Sequence, residues 1–316
     1  MFAIQVAGAL IVQIVLFYGF ILIGFLIARS SGMGHIINKH LNSLILNLLF
    51  PILVFYSFLT STLASLIDIP IFLMIAITIH LLGPMLIYLR LRTSDMPDRT
   101  KGSLLICSTF NNALFVPLPL VLMFLDPSAV PFVIMFSLTQ MILVVSVGSF
   151  IGASYSGKVD GRKRIVRDAV TFPPFLAAVV SLILLALNIR LPTDIAAILS
   201  YDSPTTTYLA LVSVGLGVGV RFSLSDARKA LNVVLTRQFA IPLLILPVIL
   251  LSTLSQIPMQ VLFLESLMPP AILTVVYAGG FDLDVEIAST TVTMGTLLLL
   301  PLIPILPTII GWIFAA

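Results

Sequence analysis

Charge is what this chain has least of. Lys, Arg, Asp and Glu make up 9% of its 316 residues, where a soluble domain carries roughly 25%. Cysteine is nearly absent as well. Cys107 stands alone, so no internal disulfide can form and nothing follows about redox compartment. No spacing of His, Cys, Asp and Glu suits a metal, and no nucleophile–base set is visible. Gly157-Lys158 lacks the rest of a phosphate-binding loop. These absences argue against an enzyme and leave no cofactor to place. The formal charge of +3 bears on membrane topology and gives no reason to expect nucleic acid.

Apolar residues fill the space instead, at 59% of the chain. No soluble fold hides that much apolar surface, so the sequence predicts an integral membrane protein. Ten runs have about the 20 residues that a bilayer requires. They lie at 6–28, 38–61, 69–90, 101–125, 128–153, 169–189, 203–222, 230–252, 257–280 and 285–313. The first is long enough to span and carries no evident cleavage signal. Only Asp126-Pro127-Ser128 separates runs four and five, and the last run holds Pro301, Pro304 and Pro307, which predict a kink.

Basic residues sort the connections. After run one come Arg29 and Lys39. After run three come Arg90, Arg92, Arg99 and Lys101. After run five come Lys158, Arg162, Lys163, Arg164 and Arg167, and after run seven Arg221, Arg228 and Lys229. The even-numbered connections hold only Arg190. Positive loops stay in the cytoplasm, which places both termini outside. The ninth connection departs from the trend with Asp282, Asp284 and Glu286, but acidic residues count little in this rule. The chain thus reads as five spans (1–155), a basic linker (156–168) and five more (169–316). An odd number per half gives the halves opposite orientation, the arrangement of an inverted repeat.

Two spans are interrupted at matching places, about half a chain apart. One reads Ser108-Thr109-Phe110-Asn111-Asn112-Ala113-Leu114-Phe115-Val116-Pro117-Leu118-Pro119, the other Glu265-Ser266-Leu267-Met268-Pro269-Pro270-Ala271. Proline lacks an N–H and clashes with the carbonyl one turn back. A break at membrane depth is tolerated where it is packed in protein or lines a wet cavity. Paired breaks in two halves point to a transporter's binding site. Pro117, Pro119, Pro269 and Pro270 would unwind the chain there, and Asn111 and Asn112 either bind an anion or cap the broken helix. Free N–H groups at the start of the next half-helix would add donors and a partial positive charge.

Other polar residues lie within the spans. Glu265 is either a carrier of a proton or cation, or a headgroup-level residue. His80 either relays protons or bonds a neighbouring helix, and Gln140 either meets substrate or joins two helices. Thr274 is a lesser substrate candidate. His35 and His40 fall near the cytoplasmic edge. Gly215, Gly217 and Gly219 form a small-residue stripe for close helix packing, within the chain or across a dimer. Gly148 and Gly152 are a weaker pair, and the Ser289, Thr290, Thr291, Thr293 and Thr296 cluster suits helix packing.

These stretches resemble the auxin efflux carrier family, whose fourth span reads close to Asn-Thr-Gly-x-x-Gly-x-Pro. Asn112 and Pro119 match it in identity and spacing, while Leu114 and Pro117 stand where that pattern has glycine. Glu265-x-x-Met268-Pro269-Pro270-Ala271, Glu286-Ile287-Ala288-Ser289-Thr290, Phe172-Pro173-Pro174 and Phe50-Pro51 fit also. The resemblance implies an all-α membrane protein of ten transmembrane helices in two inverted five-helix repeats, with broken helices 4 and 9 crossed. It implies a transport domain of helices 3, 4, 5, 8, 9 and 10 and a scaffold of helices 1, 2, 6 and 7, often dimeric. It further implies elevator-type carriage of a small carboxylate anion, and the short linker is similar to prokaryotic members. The expectation is a secondary transporter in the cytoplasmic membrane, with lipid and a small organic anion as partners. Two alternatives stay open: a sodium-coupled carrier of the bile-acid symporter type, and a membrane receptor that does not turn over.

Overall fold

The computed structural model describes residues 2–30, 33–60, 67–156, 171–218 and 223–314, and among them every regular element is helical. The first half contains α1 (Phe2–Ser30), α2 (Gly34–Leu44), α3 (Phe50–Thr60), α4 (Ile69–Leu91), α5 (Asp98–Thr109), α6 (Pro117–Phe124), α7 (Val130–Leu143) and α8 (Ser149–Ser156). The second contains α9 (Pro173–Ala186), α10 (Thr193–Ser200), α11 (Asp202–Val218), α12 (Ala227–Leu235), α13 (Ile241–Leu250), α14 (Gln256–Ser266), α15 (Leu273–Gly280), α16 (Val285–Leu299) and α17 (Leu306–Ile313). π-turns join α2 to α3, α7 to α8 and α12 to α13. A 3₁₀ stretch, Leu300–Ile305, joins α16 to α17, where Pro301 and Pro304 interrupt the regular ladder.

Six continuous helical stretches are long and apolar enough to cross a membrane: Ile11–Ser30, Ile36–Thr60, Ile69–Leu91, Pro127–Tyr155, Ala227–Leu250 and Val285–Ile313. The chain is a multi-pass membrane protein. The other four expected spans differ for visible reasons. Spans four and nine are each split in two by their proline breaks. Span six is α9, only 14 residues long, and span seven is α11, which runs to the edge of the described residues. The connection between them carries α10, which no apolar run predicted. Residues 157–170, holding nearly all of the basic linker, lie outside the described residues, as do Gly219 and Arg221.

Helix contacts recur in pairs. α1 lies on α11 and α3 on α9; α4 packs on α5 and α13 on α14; α6 packs on α7 and α15 on α16. Exchanging the first half of the chain for the second turns each member of a pair into the other. Close approach needs small residues. A Cβ on Gly215 would lie 2.0 Å from the Ile21 carbonyl, and one on Gly24 would lie 2.1 Å from that of Val212. The glycine stripe is therefore used inside the chain, at least through Gly215, to seat α1 against α11. Outward-facing side chains such as Met74 (68% exposed), Leu243 (71%) and Trp312 (83%) present the apolar belt that hydrocarbon tolerates and water does not.

The acidic ninth connection has a local explanation. Arg99 meets Asp282 at 2.7 Å, and Thr100 Oγ1 donates to Asp284 Oδ2 at 2.8 Å. Asp284 also caps α16 by accepting from the Ile287 N–H at 3.2 Å. The third and ninth connections thus lie together at one end of the molecule, acid against base. At another place Asp68, before α4, accepts from the Ser255 N–H at 3.2 Å, before α14. The second and eighth connections meet there.

Candidate functional site

The two breaks pair with each other. The Asn112 N–H donates to the Pro269 carbonyl at 2.8 Å, and the Ala271 N–H donates to the Phe110 carbonyl at 3.0 Å. Asn111 and Pro270 lie opposite one another in this short antiparallel bridge. Backbone groups freed by proline have no water to turn to in the membrane, so each break satisfies the other. On one side of the crossing α5 packs on α15, and on the other α6 packs on α14. The close fit depends on α16, where a Cβ on Gly295 would fall 2.8 Å from Pro270 Cδ and 3.1 Å from Pro269 Cβ.

Asn111 and Asn112 differ. Asn111 is fully buried, and its amide nitrogen donates to the Glu265 carbonyl at 2.9 Å and to Glu265 Oε2 at 3.0 Å. Asn112 is 7% exposed. Its Oδ1 accepts from the Phe115 N–H at 3.1 Å, which turns the chain toward α6. Its amide N–H₂ makes no hydrogen bond among the described residues and is not sealed from its surroundings. Asn112 is the open donor of the pair.

The donors expected at the start of α6 are not there. Pro117 and Pro119 have no N–H, while Leu118 donates to Leu114 at 3.1 Å and Leu120 to Val116 at 3.2 Å. Prolines suit a first helical turn because their fixed φ is already helical, yet here they and local bonds use up the first turn. Thr274 is also occupied, donating to the Ala271 carbonyl at 2.6 Å and accepting from Cys107.

Gln140 and His80 brace the crossing from α7 and α4. Gln140 Oε1 accepts from the Asn111 N–H at 2.9 Å and lies 3.1 Å from His80 Nε2. His80 Nδ1 lies 2.7 Å from the Ala76 carbonyl. Glu265 is fully buried, and its Oε1 has no partner.

Two residues that sequence reasoning missed stand beside these. Arg237 and Gln238 lie on the π-turn Thr236–Ala240, both fully buried. Gln238 Nε2 donates to the Gly295 carbonyl at 3.1 Å and to that of Leu267 at 3.4 Å, tying α16 to the second break. An ionisable side chain in mid-span was the available signal. It was masked by the apolar sequence around it and by the basic run Arg228-Lys229 upstream.

Next to the crossing lies a narrow apolar cleft. Leu114, Leu118 and Leu138 line one wall, Phe50, Leu53 and Phe172 the other, with Ser137 as its one hydroxyl. The walls belong to α6 and α7 on one side and to α3 and the entry to α9 on the other. Across the molecule, Gly217 of α11 faces Ile272 of the second break. Asn38, Asn42 and Ser213 hydrogen-bond together nearby.

Crossed, mutually bonded breaks inside a bundle of apolar helices define a polytopic membrane carrier. The chain belongs to the family described as "Membrane transport protein", whose model matches residues 9–307; this is the auxin efflux carrier family that the two breaks resemble. It is therefore a transporter and not an enzyme. It is 26% identical over 287 residues to an uncharacterized transporter of Methanothermobacter thermautotrophicus, covering 90% of this chain and 93% of that one. It is 24% identical over 227 residues to an uncharacterized transporter of Methanocaldococcus jannaschii, covering 71% of each.

Proposed function

We propose that this protein is a secondary transporter that carries a small organic carboxylate across the cell membrane. The observation that carries the reading is Asn112, whose amide N–H₂ is left unbonded where the two breaks meet. In a medium of low dielectric a donor without a partner binds an acceptor more strongly than it would in water. The cleft beside it matches the body of an organic anion in polarity, and the amide suits its carboxylate.

The movement is of the elevator type. Spans 3, 4, 5, 8, 9 and 10 slide as one body past a scaffold of spans 1, 2, 6 and 7, in two inverted five-helix repeats. The paired helix contacts support this division, as does a cleft whose two walls fall on opposite sides of it. Both termini face outward, as the basic connections require. Dimerisation through the scaffold, where it occurs, uses surfaces other than Gly215.

Binding is tested by thermal shift of purified protein against acetate, succinate and benzoate. A ligand that binds only the native state raises its stability. Asn112→Ala is expected to weaken the best carboxylate at least tenfold while melting within a few degrees of the unliganded parent. Unchanged affinity removes Asn112 from the site.

One observation favours proton coupling. Carbonyl oxygens face both ring nitrogens of His80, and the Gln140 oxygen is held in place by the Asn111 N–H. Both contacts are hydrogen bonds only when both nitrogens carry protons. Uptake into proteoliposomes should therefore vary with pH in the parent and lose that dependence in His80→Gln. A pH profile that survives the substitution rejects this coupling.

A further inference from the structure

One charge at the crossing has no partner of its own. Arg237 is fully buried, and its Nη1 reaches only the carbonyls of Ile79 and Ser108, each at 3.4 Å. Its Nε and Nη2 bond nothing. Ser108 sits in the last turn of α5, just before the residues that pair with the second break, so the guanidinium lies against the broken helix end. Glu265, on α14, holds Asn111 with one oxygen and leaves the other bare. Arg237 and Glu265 are both buried in this core, yet no nitrogen–oxygen approach of 4.0 Å or less joins them.

A guanidinium keeps its charge in any protein environment and offers five N–H donors. Burying it without a direct partner is costly, so a retained intramembrane arginine marks function. The oxygens around the crossing sharpen the assignment. Glu265 Oε1, Asn111 Oδ1 and Gln238 Oε1 are all buried and unpaired, and the Ser108 carbonyl meets Arg237 at 3.4 Å. Carboxylate, amide and carbonyl oxygens are what a hard metal cation would bind. Here a tethered positive charge already stands among them.

We propose that Arg237 is a built-in cation of the crossover. Its fixed charge makes the site at Asn112 attractive to a carboxylate, and it takes the place of a co-transported metal ion, so binding needs no sodium. The histidine that faces the same region, His80, adds a positive charge only when doubly protonated, and among the described residues Glu265 is the carboxylate beside Arg237. The inference rests on the anion reading above.

The test uses the full-length protein and the same three carboxylates, in sodium and in choline buffers. The parent should be stabilised equally in both. The double variant Arg237→Gln/Glu265→Gln removes both charges and keeps the core neutral. It should fold, and its carboxylate affinity should fall at least tenfold. Arg237→Gln alone frees the oxygen set, and sodium should then stabilise this variant where it does not stabilise the parent. Full affinity in the double variant would make Arg237 a mere counter-ion of Glu265 and overturn the proposal. So would a sodium requirement in the parent, a measurement that needs no variant to fold. A parent that binds no carboxylate in either buffer sinks the anion reading itself, and this inference with it.

Discussion

Asn111 and Asn112 are neighbours in sequence with different tasks in space. Asn111 closes the crossing onto Glu265, and Asn112 faces outward from it. The difference is measurable as stability. Asn111→Ala strips the buried Glu265 carbonyl and carboxyl of the donor they share, and leaving a buried polar group without its partner costs about 1–3 kcal/mol. Asn112→Ala loses only the bond to Phe115, a cap-like interaction worth about 1 kcal/mol. Cys107 is the chain's one thiol and is buried, so its reaction with a maleimide dye on heating reports unfolding. Asn111→Ala should expose it at a clearly lower temperature than Asn112→Ala; equal shifts would contradict the division of tasks. The sequence marked both residues as polar groups in a broken span. Which one kept a free donor depended on Glu265, more than 150 residues away, and so was not legible locally. Arg237 was legible as an intramembrane charge, but only its position against Ser108 and Ile79 ties it to the crossing.

At the scale of the elements, the breaks themselves were plain in the sequence because proline acts locally. How they are kept unwound was not. The second break packs on α16 through Gly295, and Gln238 donates to the carbonyls of both Gly295 and Leu267. Gly295→Ala puts a Cβ where Pro270 already stands, and overpacking of this kind costs about 1–3 kcal/mol. The expected outcome is a protein that still inserts but transports at a small fraction of the parent rate, measured in proteoliposomes. Parent-level uptake would mean that the crossing tolerates displacement. The glycine stripe of α11 teaches the complementary lesson. Its spacing announced close packing, but spacing alone does not name the partner, which for Gly215 is α1 of the same chain.

At the scale of the whole molecule, the cleft between α3 and α9 on one side and α6 and α7 on the other is where an elevator would slip. Leu138 and Phe172 line opposite walls and are only partly buried. Cysteines placed there in a Cys107→Ala background should form a disulfide on mild oxidation. Uptake should stop, and a reducing agent should restore it. Transport at full rate with the disulfide formed would exclude sliding across this cleft.

The sequence by itself determined that this chain lives in a membrane, roughly where it crosses, which connections carry positive charge, and where two spans must break. Each of these follows from composition or from the local chemistry of one residue type: apolar length, Lys and Arg, or a missing N–H. Tertiary structure alone decided that the breaks bond to each other, that Asn111 is spent and Asn112 is free, that the first turn of α6 offers no donors, and that Arg237 and Glu265 share the core without touching. Those outcomes turn on distances of a few ångströms between residues far apart in the chain. Hydrogen bonds and buried charges are decided at that range, and no pattern along the sequence encodes it.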